Sequence, residues 1–287
     1  MPRCETEWPP IRDEQLRERL RTPTEDLLAL LPPFLERIVP LMASILEAPL
    51  DERIAQAHGY PWERVDAPAV LRDGVVEPDR PLDPHRRYAV VAIGANGSAQ
   101  RLATKLVGVP VADARLSPAT LADHDVVACP FPTGYGSFAG DLVPSPGTRV
   151  RITVLELTAP QVERLTFTEF GYDLGRLTGA VAVTDDGEEH PDPLAYVHRG
   201  SYGVDGAPVA LAAVPAQDRT LRAMTQPELL EDCGRRLGFD GPPGAAGDAL
   251  LRAILADPPG FVREHYAPLT AAALHPERPG FVPYPAA

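Results

Sequence analysis

Two stretches of the chain carry residue types that can do chemistry. The first is Ile93-Gly94-Ala95-Asn96-Gly97-Ser98, where the apolar run YAVVAIG drives into a Gly/Asn turn. A helix-forming segment, SAQRLATKL, follows at once. The second is Leu165-Thr166-Phe167-Thr168-Glu169, which continues the helix-like TAPQVERL to an acid. A strand that turns into a helix offers main-chain N–H groups to a ligand. A carboxylate returned to the sheet edge beside them can serve as a general base.

One reading of the first stretch is a nucleotide cradle. A dinucleotide fingerprint needs a strand, G-x-G-x-x-G, a helix and an acid about 20 residues on. Strand and helix are expected here, and Asp113 stands near the place of a ribose-binding acid. Gly94 and Gly97 are present, but Asn96 replaces the second glycine and Gln100 the third.

The elements that would position both stretches follow from periodicity. Residues 1–85 read as a helical extension followed by a Pro-, Asp- and Arg-rich connecting loop from about Asp66 to Pro84. Thr22 and Glu25 have capping-box spacing, and a second helix is expected with a break at Pro32-Pro33 and a kink at Pro40. Arg87–Gly94 reads as a strand covered on both faces. Ser98 to Leu106 reads as a helix, GVPVADA as a short strand, Ser117-Pro118 as a helical turn, DVVACPF as a strand and TGYGSFAGDLVPSPGT as loop. RVRITVLEL alternates, with Val150, Ile152 and Val154 on one side. Thr158–Gln161 and Thr225–Glu228 are capping boxes that open helices, the second ended by Gly238. AVAVTDDGEE and PVALAAVPA read as strands, and Asp248–Ala256 as a helix. Strands and helices mix without strict alternation, which favours an α+β arrangement with a curled sheet. The Pro-rich residues 258–287 read as a tail lying on the surface.

In order, the chain presents Ile93-Gly94-Ala95-Asn96, Pro144-Ser145-Pro146-Gly147, Glu156-Leu157-Thr158 and Leu165-Thr166-Phe167-Thr168-Glu169. This series resembles the gamma-glutamylcyclotransferase-like family. Its members carry Tyr-Gly-Ser-Asn after the first strand, a Pro-Ser-Pro-Gly-like loop, a strand ending in Glu-Leu-Thr, a helix, and Leu-Asp-x-x-Glu. The similarity spans residues 87–215, within an expected α+β domain of residues 86–257. It implies a small mixed barrel-like sheet with flanking helices. It also implies an enzyme that cyclises a γ-glutamyl group to 5-oxoproline and releases an amine, without a metal or organic cofactor. By that resemblance Glu169 is the base, and Ile93, Gly94, Ala95, Asn96 and Tyr172 contact a small γ-glutamyl or amide substrate. The sequence departs from the family at Ile93 for Tyr, Ala95 for Ser and Thr166 for Asp. The first two changes remove hydroxyls from the loop and, with the helical extension, leave a second reading open, a fold relative that has lost catalysis and acts as a binding or scaffold protein. Tyr135-Gly136-Ser137 repeats the family's letters but reads as a loop.

Composition bounds the alternatives. A net charge of −13 over 287 residues disfavours phosphate backbones and anionic lipid, so neither nucleic acid nor membrane is an expected partner. Cys4, Cys129 and Cys233 are odd in number and unevenly spaced, against a disulfide framework and for a reducing compartment. No leader pattern or long apolar run is present, so the cytoplasm is the expected location. All 27 basic residues are arginine except Lys105, which reads as the coding bias of a GC-rich, bacterial genome. Glu169 can also be a solvated acid past a helix end, and Asn96 a plain turn residue. Asp123-His124-Asp125 reads as a solvated turn rather than a metal cluster, and Asp185–His190 as an acidic hairpin tip. Cys129 reads as a core residue, and Tyr196, His198 and Tyr202 as loop residues that can face Glu169.

Overall fold

The computed structural model describes residues 4–23, 26, 27, 30, 47–110 and 113–285. The chain is mixed α and β, built on one large, mostly antiparallel sheet with helices against it. Its first strands are β1 (Ala69–Arg72), β2 (Val75–Pro78), β3 (Tyr88–Ala92), β4 (Ala114–Pro132) and β5 (Phe138–Leu157). They continue with β6 (Tyr172–Leu177), β7 (Val181–Thr184), β8 (Glu189–Pro191) and β9 (Leu194–His198). The path runs from the short strand Ala223–Met224 through Ala210–Leu211, β4, β5, β3, β9 and β6 to Phe281–Pro283. The two ends do not pair among the described residues, so the sheet is open rather than the small closed barrel that the resemblance implies.

The apolar run at β3 is explained by its place. Ala89, Val91 and Ile93 face one core; Tyr88, Val90 and Ala92 face the other. A strand buried on both faces cannot alternate polar with apolar residues. β3 lies antiparallel to β5 and parallel to β9, and this mostly antiparallel setting is not the doubly wound parallel sheet of a dinucleotide fold. Asp113 is likewise committed inward, in a buried ion pair with Arg87 at 2.7 Å.

The β4–β5 hairpin is far longer than the sequence pattern suggests. Ser117-Pro118 lies within β4, not in a helical turn, and the Pro- and Gly-rich DLVPSPG lies within β5, not in a loop. Register with the partner strand overrides local propensity here. A shift in pairing between Ala122 and His124 absorbs the irregular residues, with Asp123 at φ +57°. Asp125 is not solvated; it is buried and accepts hydrogen bonds from Arg219 Nε and Nη2 at 2.8 and 2.9 Å. GVPVADA is not a strand at Gly108–Pro110, and PVALAAVPA yields only two-residue pieces.

Helices α1 (Glu14–Arg21), α2 (Leu50–His58), α3 (Ala99–Leu106) and α4 (Ala159–Thr168) precede α5 (Gln226–Arg236), α6 (Ala245–Ala256) and α7 (Pro258–Ala271). α4 opens as expected, with the Gln161 side chain accepting the Thr158 N–H at 2.8 Å. α5 opens with the reciprocal Thr225–Glu228 box. Thr22 closes α1, and of the helix expected over 34–50, residues 34–46 with the Pro40 kink lie outside the described residues, while 47–49 are not helical. None of the described helices is long and apolar enough to cross a membrane.

Both flanking segments join the sheet. The stretch read as a loop contains the β1–β2 hairpin, and β1 pairs with β4. The segment read as a surface tail contains α7, and its strand Phe281–Pro283 pairs with β6. Arg278 ties it down. Its Nη2 donates to the fully buried Asp141 carboxylate at 2.5 Å, which also accepts from Ser201 Oγ at 2.7 Å and the His198 N–H at 2.8 Å. Removing one partner of a buried ion pair strands the other. Arg278→Ala is therefore expected to cost about 3–5 kcal/mol of unfolding free energy by urea titration. Arg235→Ala, which breaks the more exposed pair with Glu231, should cost under about 1 kcal/mol. Equal small losses would show that the Arg278 tie is not structural.

Candidate functional site

The site lies where α3 and α4 pack side by side on one face of the sheet. Ala99 and Leu102 of α3 and Val162 and Leu165 of α4 share one core with Val90 and Ala92 of β3. This packing brings the last turn of α3 to the end of α4. Glu169 is the C-terminal cap of α4. Ile93-Gly94 leaves β3 and enters a single 3-10 turn, Ala95–Gly97, which leads through Ser98 into α3.

Glu169 and Asn96, 73 residues apart in sequence, touch: Asn96 Nδ2 donates to Glu169 Oε1 at 3.1 Å. Lys105 joins them. Its Nζ donates to Glu169 Oε1 at 2.5 Å and to Asn96 Oδ1 at 2.8 Å. A helical side chain leans toward the helix N-terminus, which lets Lys105 reach back to a residue before α3 begins. Thr168 Oγ1 approaches the same carboxylate oxygen at 3.4 Å. The three donors all fall on Oε1, and among the described residues Oε2 receives none. The Glu169 and Lys105 side chains are 12% and 21% exposed, so the pair is shielded but not sealed.

The turn is closed from behind by the chain's own extension. A Cβ at Gly94 would lie 2.0 Å from Tyr60 Oη, so glycine stands there to admit the tyrosine. Tyr60 Oη accepts the Gly140 N–H at 2.9 Å. Arg64 donates to the carbonyls of Ile93 and Arg151. Gly97 N–H bonds the Gly94 carbonyl at 2.9 Å, and Ser98 N–H the Ala95 carbonyl at 3.1 Å. The N–H groups of Ala95 and Asn96 precede the first of these bonds, and among the described residues no acceptor meets them, as for the first donors of a helical start.

Of the residues implicated by sequence, Glu169 and Asn96 meet, and Ile93, Gly94 and Ala95 form the same turn. Tyr172 makes no hydrogen bond to the Glu169 carboxylate among the described residues. Its hydroxyl donates to the Gly140 carbonyl at 2.8 Å and lies 3.1 Å from Cys129 Sγ. Burial pushes both the Tyr172 phenol and the Cys129 thiol well above their usual ranges, so neither is a ready nucleophile or base. Cys129 is a core residue as expected. Tyr196 and His198 sit in β9 rather than a loop, with Tyr196 Oη bonded to Thr166 and Val162. Burial takes the His198 imidazole down to about 4, so it is neutral at pH 7. Thr166 spends its hydroxyl inside α4, on the Val162 carbonyl at 2.8 Å. Among the described residues no His, Cys, Asp and Glu cluster could hold a metal ion.

Sequence reasoning missed Lys105, Tyr60 and Arg101. Lys105 carried a signal: it is the one exception to a uniform arginine bias. Arginine supplies a fixed charge, whereas lysine supplies a compact ammonium that can fit between two acceptors.

The Tyr60–Gly94 contact gives a test of this arrangement. Gly94→Ala should lose about 1–3 kcal/mol of stability through overpacking. Tyr60→Phe removes the obstructing oxygen, so the double variant should fall short of the summed losses by about 1 kcal/mol in urea unfolding. Additive losses would place the tyrosine elsewhere.

Comparison of the chain with protein-family models, with curated proteins and with solved structures finds no match.

Proposed function

We propose that the Asn96–Lys105–Glu169 cluster is a small-molecule site of gamma-glutamylcyclotransferase type. Glu169 takes a proton from the substrate's α-ammonium. The freed amine attacks its own γ-carbonyl, the ring nitrogen gives up a second proton as the C–N bond to the departing amine breaks, and that amine leaves as an ammonium carrying both protons. The product ring is 5-oxoproline. The observation that supports this reading is the 3.1 Å contact between Asn96 Nδ2 and Glu169 Oε1, an acid against the turn that follows β3.

Each participant has a physical role. A protonated amine cannot attack, so a base must lie within about 3 Å of it. Oε2 of Glu169 is the oxygen left for that task, since the donors crowd Oε1. Lys105 and Asn96 hold the carboxylate in one orientation. A substrate ammonium competes with Lys105 for the same acid. The N–H groups of Ala95 and Asn96 are the donors for charge growing on the carbonyl oxygen. Ile93 and Ala95 contribute no hydroxyl, and the nearby Tyr60 and Tyr172 hydroxyls are engaged with Gly140. Intramolecular attack supplies much of the acceleration, because orientation alone can be worth about 7–11 kcal/mol in the best cases.

A second reading has its own support. The 2.5 Å Lys105–Glu169 pair and the Tyr60 hydroxyl packed behind the turn suit a locked fold relative that binds without turnover. Incubation with a panel of γ-glutamyl amines separates the two. The enzymatic reading expects 5-oxoproline release that drops about 100-fold or more in Glu169→Gln, as expected on losing a general base. Equal release from the variant would remove Glu169 from the chemistry, and no release from any member of the panel would favour the non-catalytic relative.

A further inference from the structure

Arg101 is a cation beside this cluster that has no counter-charge among the described residues. It lies one turn before Lys105 on α3, so the two side chains leave the same helix face with Cβ atoms about 5–6 Å apart. Its guanidinium carbon lies 4.2 Å from the centroid of the Trp62 ring. Its Nη2 donates at 3.2 Å to the side-chain oxygen of Gln56, a neutral amide. No carboxylate among the described residues pairs with it. Other partly buried arginines have one: Arg87 with Asp113, Arg115 with Glu156, Arg199 with Asp173, Arg219 with Asp125 and Arg278 with Asp141. Arg64 and Arg19 instead bond two backbone carbonyls each. Arg101 is thus a half-buried arginine whose one hydrogen-bond partner among the described residues is neutral, a setting shared by Arg53 on the Leu255 carbonyl, but Arg101 alone of the two is stacked on an aromatic face and shares a helix face with Lys105. Partial burial already lowers the proton affinity of Arg101, so an anion brought to it would relieve a desolvated charge.

The surroundings hold that guanidinium in place on the helix face that also carries Lys105. Trp62 anchors its indole N–H on the Gln56 carbonyl at 2.9 Å. The same ring packs against Tyr60 and Tyr135, with centroids 5.2 and 5.4 Å away. Tyr60 in turn fills the space at Gly94. A continuous wall therefore runs from Arg101 through Trp62 and Tyr60 to the turn that meets Glu169. A planar fork immobilised on an aromatic face loses little further freedom when it takes a carboxylate with two parallel hydrogen bonds.

We propose that Arg101, stacked on Trp62, is a carboxylate-binding subsite beside Glu169, so that the site selects ligands carrying both an amine and a carboxylate, as an amino acid does. The amine half rests on the proposed role of Glu169; the carboxylate half rests on Arg101 alone. When a ligand ammonium takes Glu169, Lys105 is released and can join Arg101 on the carboxylate. The Gln56 amide yields its place to a stronger, charged acceptor.

Three probes separate the halves in calorimetric titrations of the full chain: glutarate (carboxylates, no amine), 4-aminobutanamide (amine and amide, no carboxylate) and L-glutamine (both). Wild type is expected to bind glutarate, with at least tenfold loss in Arg101→Gln and partial recovery in Arg101→Lys, which keeps a charge without the fork. Glu169→Gln should bind glutarate as well as wild type, or better. 4-Aminobutanamide should be insensitive to Arg101→Gln and lost in Glu169→Gln, and L-glutamine weakened by both. Thermal unfolding of each variant establishes that it is folded. Glutarate that fails to bind wild type, or that binds folded Arg101→Gln equally well, overturns the subsite. 4-Aminobutanamide binding that survives Glu169→Gln overturns the role of Glu169 and leaves the subsite standing.

Discussion

Everything proposed for this molecule depends on one ion pair and the amide that bridges it. Lys105, Glu169 and Asn96 come from the last turn of one helix, the end of another, and the turn that opens the first. None is a neighbour of Glu169 in sequence. They meet because α3 and α4 bury adjacent apolar faces on the same side of the sheet, which sets the separation of their ends. A lysine short of this position, or an acid one residue earlier on α4, would point elsewhere on the helix surface. The carboxylate is thereby held by donors on one oxygen, while its other oxygen has no protein partner among the described residues.

The sheet supplies the rigidity that such a cluster needs. β3 is buried on both faces, so the turn leaving it starts from a well-anchored point. Behind the turn, Tyr60 and Arg64 belong to the segment preceding the sheet, and they fill the space that a glycine leaves and cap the carbonyls that a strand end exposes. The extension is thus part of the wall of the site, not an appendage. At the opposite end of the chain, Arg278 and the strand Phe281–Pro283 close the edge next to β6, the strand that begins three residues after Glu169.

Much of this was legible in the residues, and the remainder has physical reasons for being hidden. The strand–turn–helix at 87–106, the alternating RVRITVLEL, and the Thr158 and Thr225 helix starts are local signals, and local signals survive into the fold. Ser117-Pro118 and Pro144–Gly147 misled because pairing across a long hairpin outweighs the turn preference of Pro and Gly. The hairpin at 69–78 was disguised by flanking Asp, Arg and Pro. α7 carries Pro258 and Pro259 in its first turn, where proline is well tolerated, and a third at Pro268, which lowered the helical signal. A closed barrel was expected from family resemblance, and strand pairing alone could show an open sheet. At the site, Glu169 and Asn96 were legible as types and Lys105 as an oddity of composition. Their convergence was not, because no periodicity encodes which helix ends meet. The partner of the Tyr172 hydroxyl, the Gly140 carbonyl, was hidden for the related reason that strand register rather than sequence proximity sets where that hydroxyl goes.

The most direct measurement of the central claim is a double-mutant cycle between Lys105 and Glu169, using Lys105→Met, Glu169→Gln and both together in urea unfolding. A shielded but solvent-touched pair of this geometry predicts a coupling energy of about 1 kcal/mol or more, with the double variant more stable than the summed single losses imply. A coupling indistinguishable from zero would mean that the two groups do not meet in solution, and Glu169 would lack the lysine that holds its carboxylate in place.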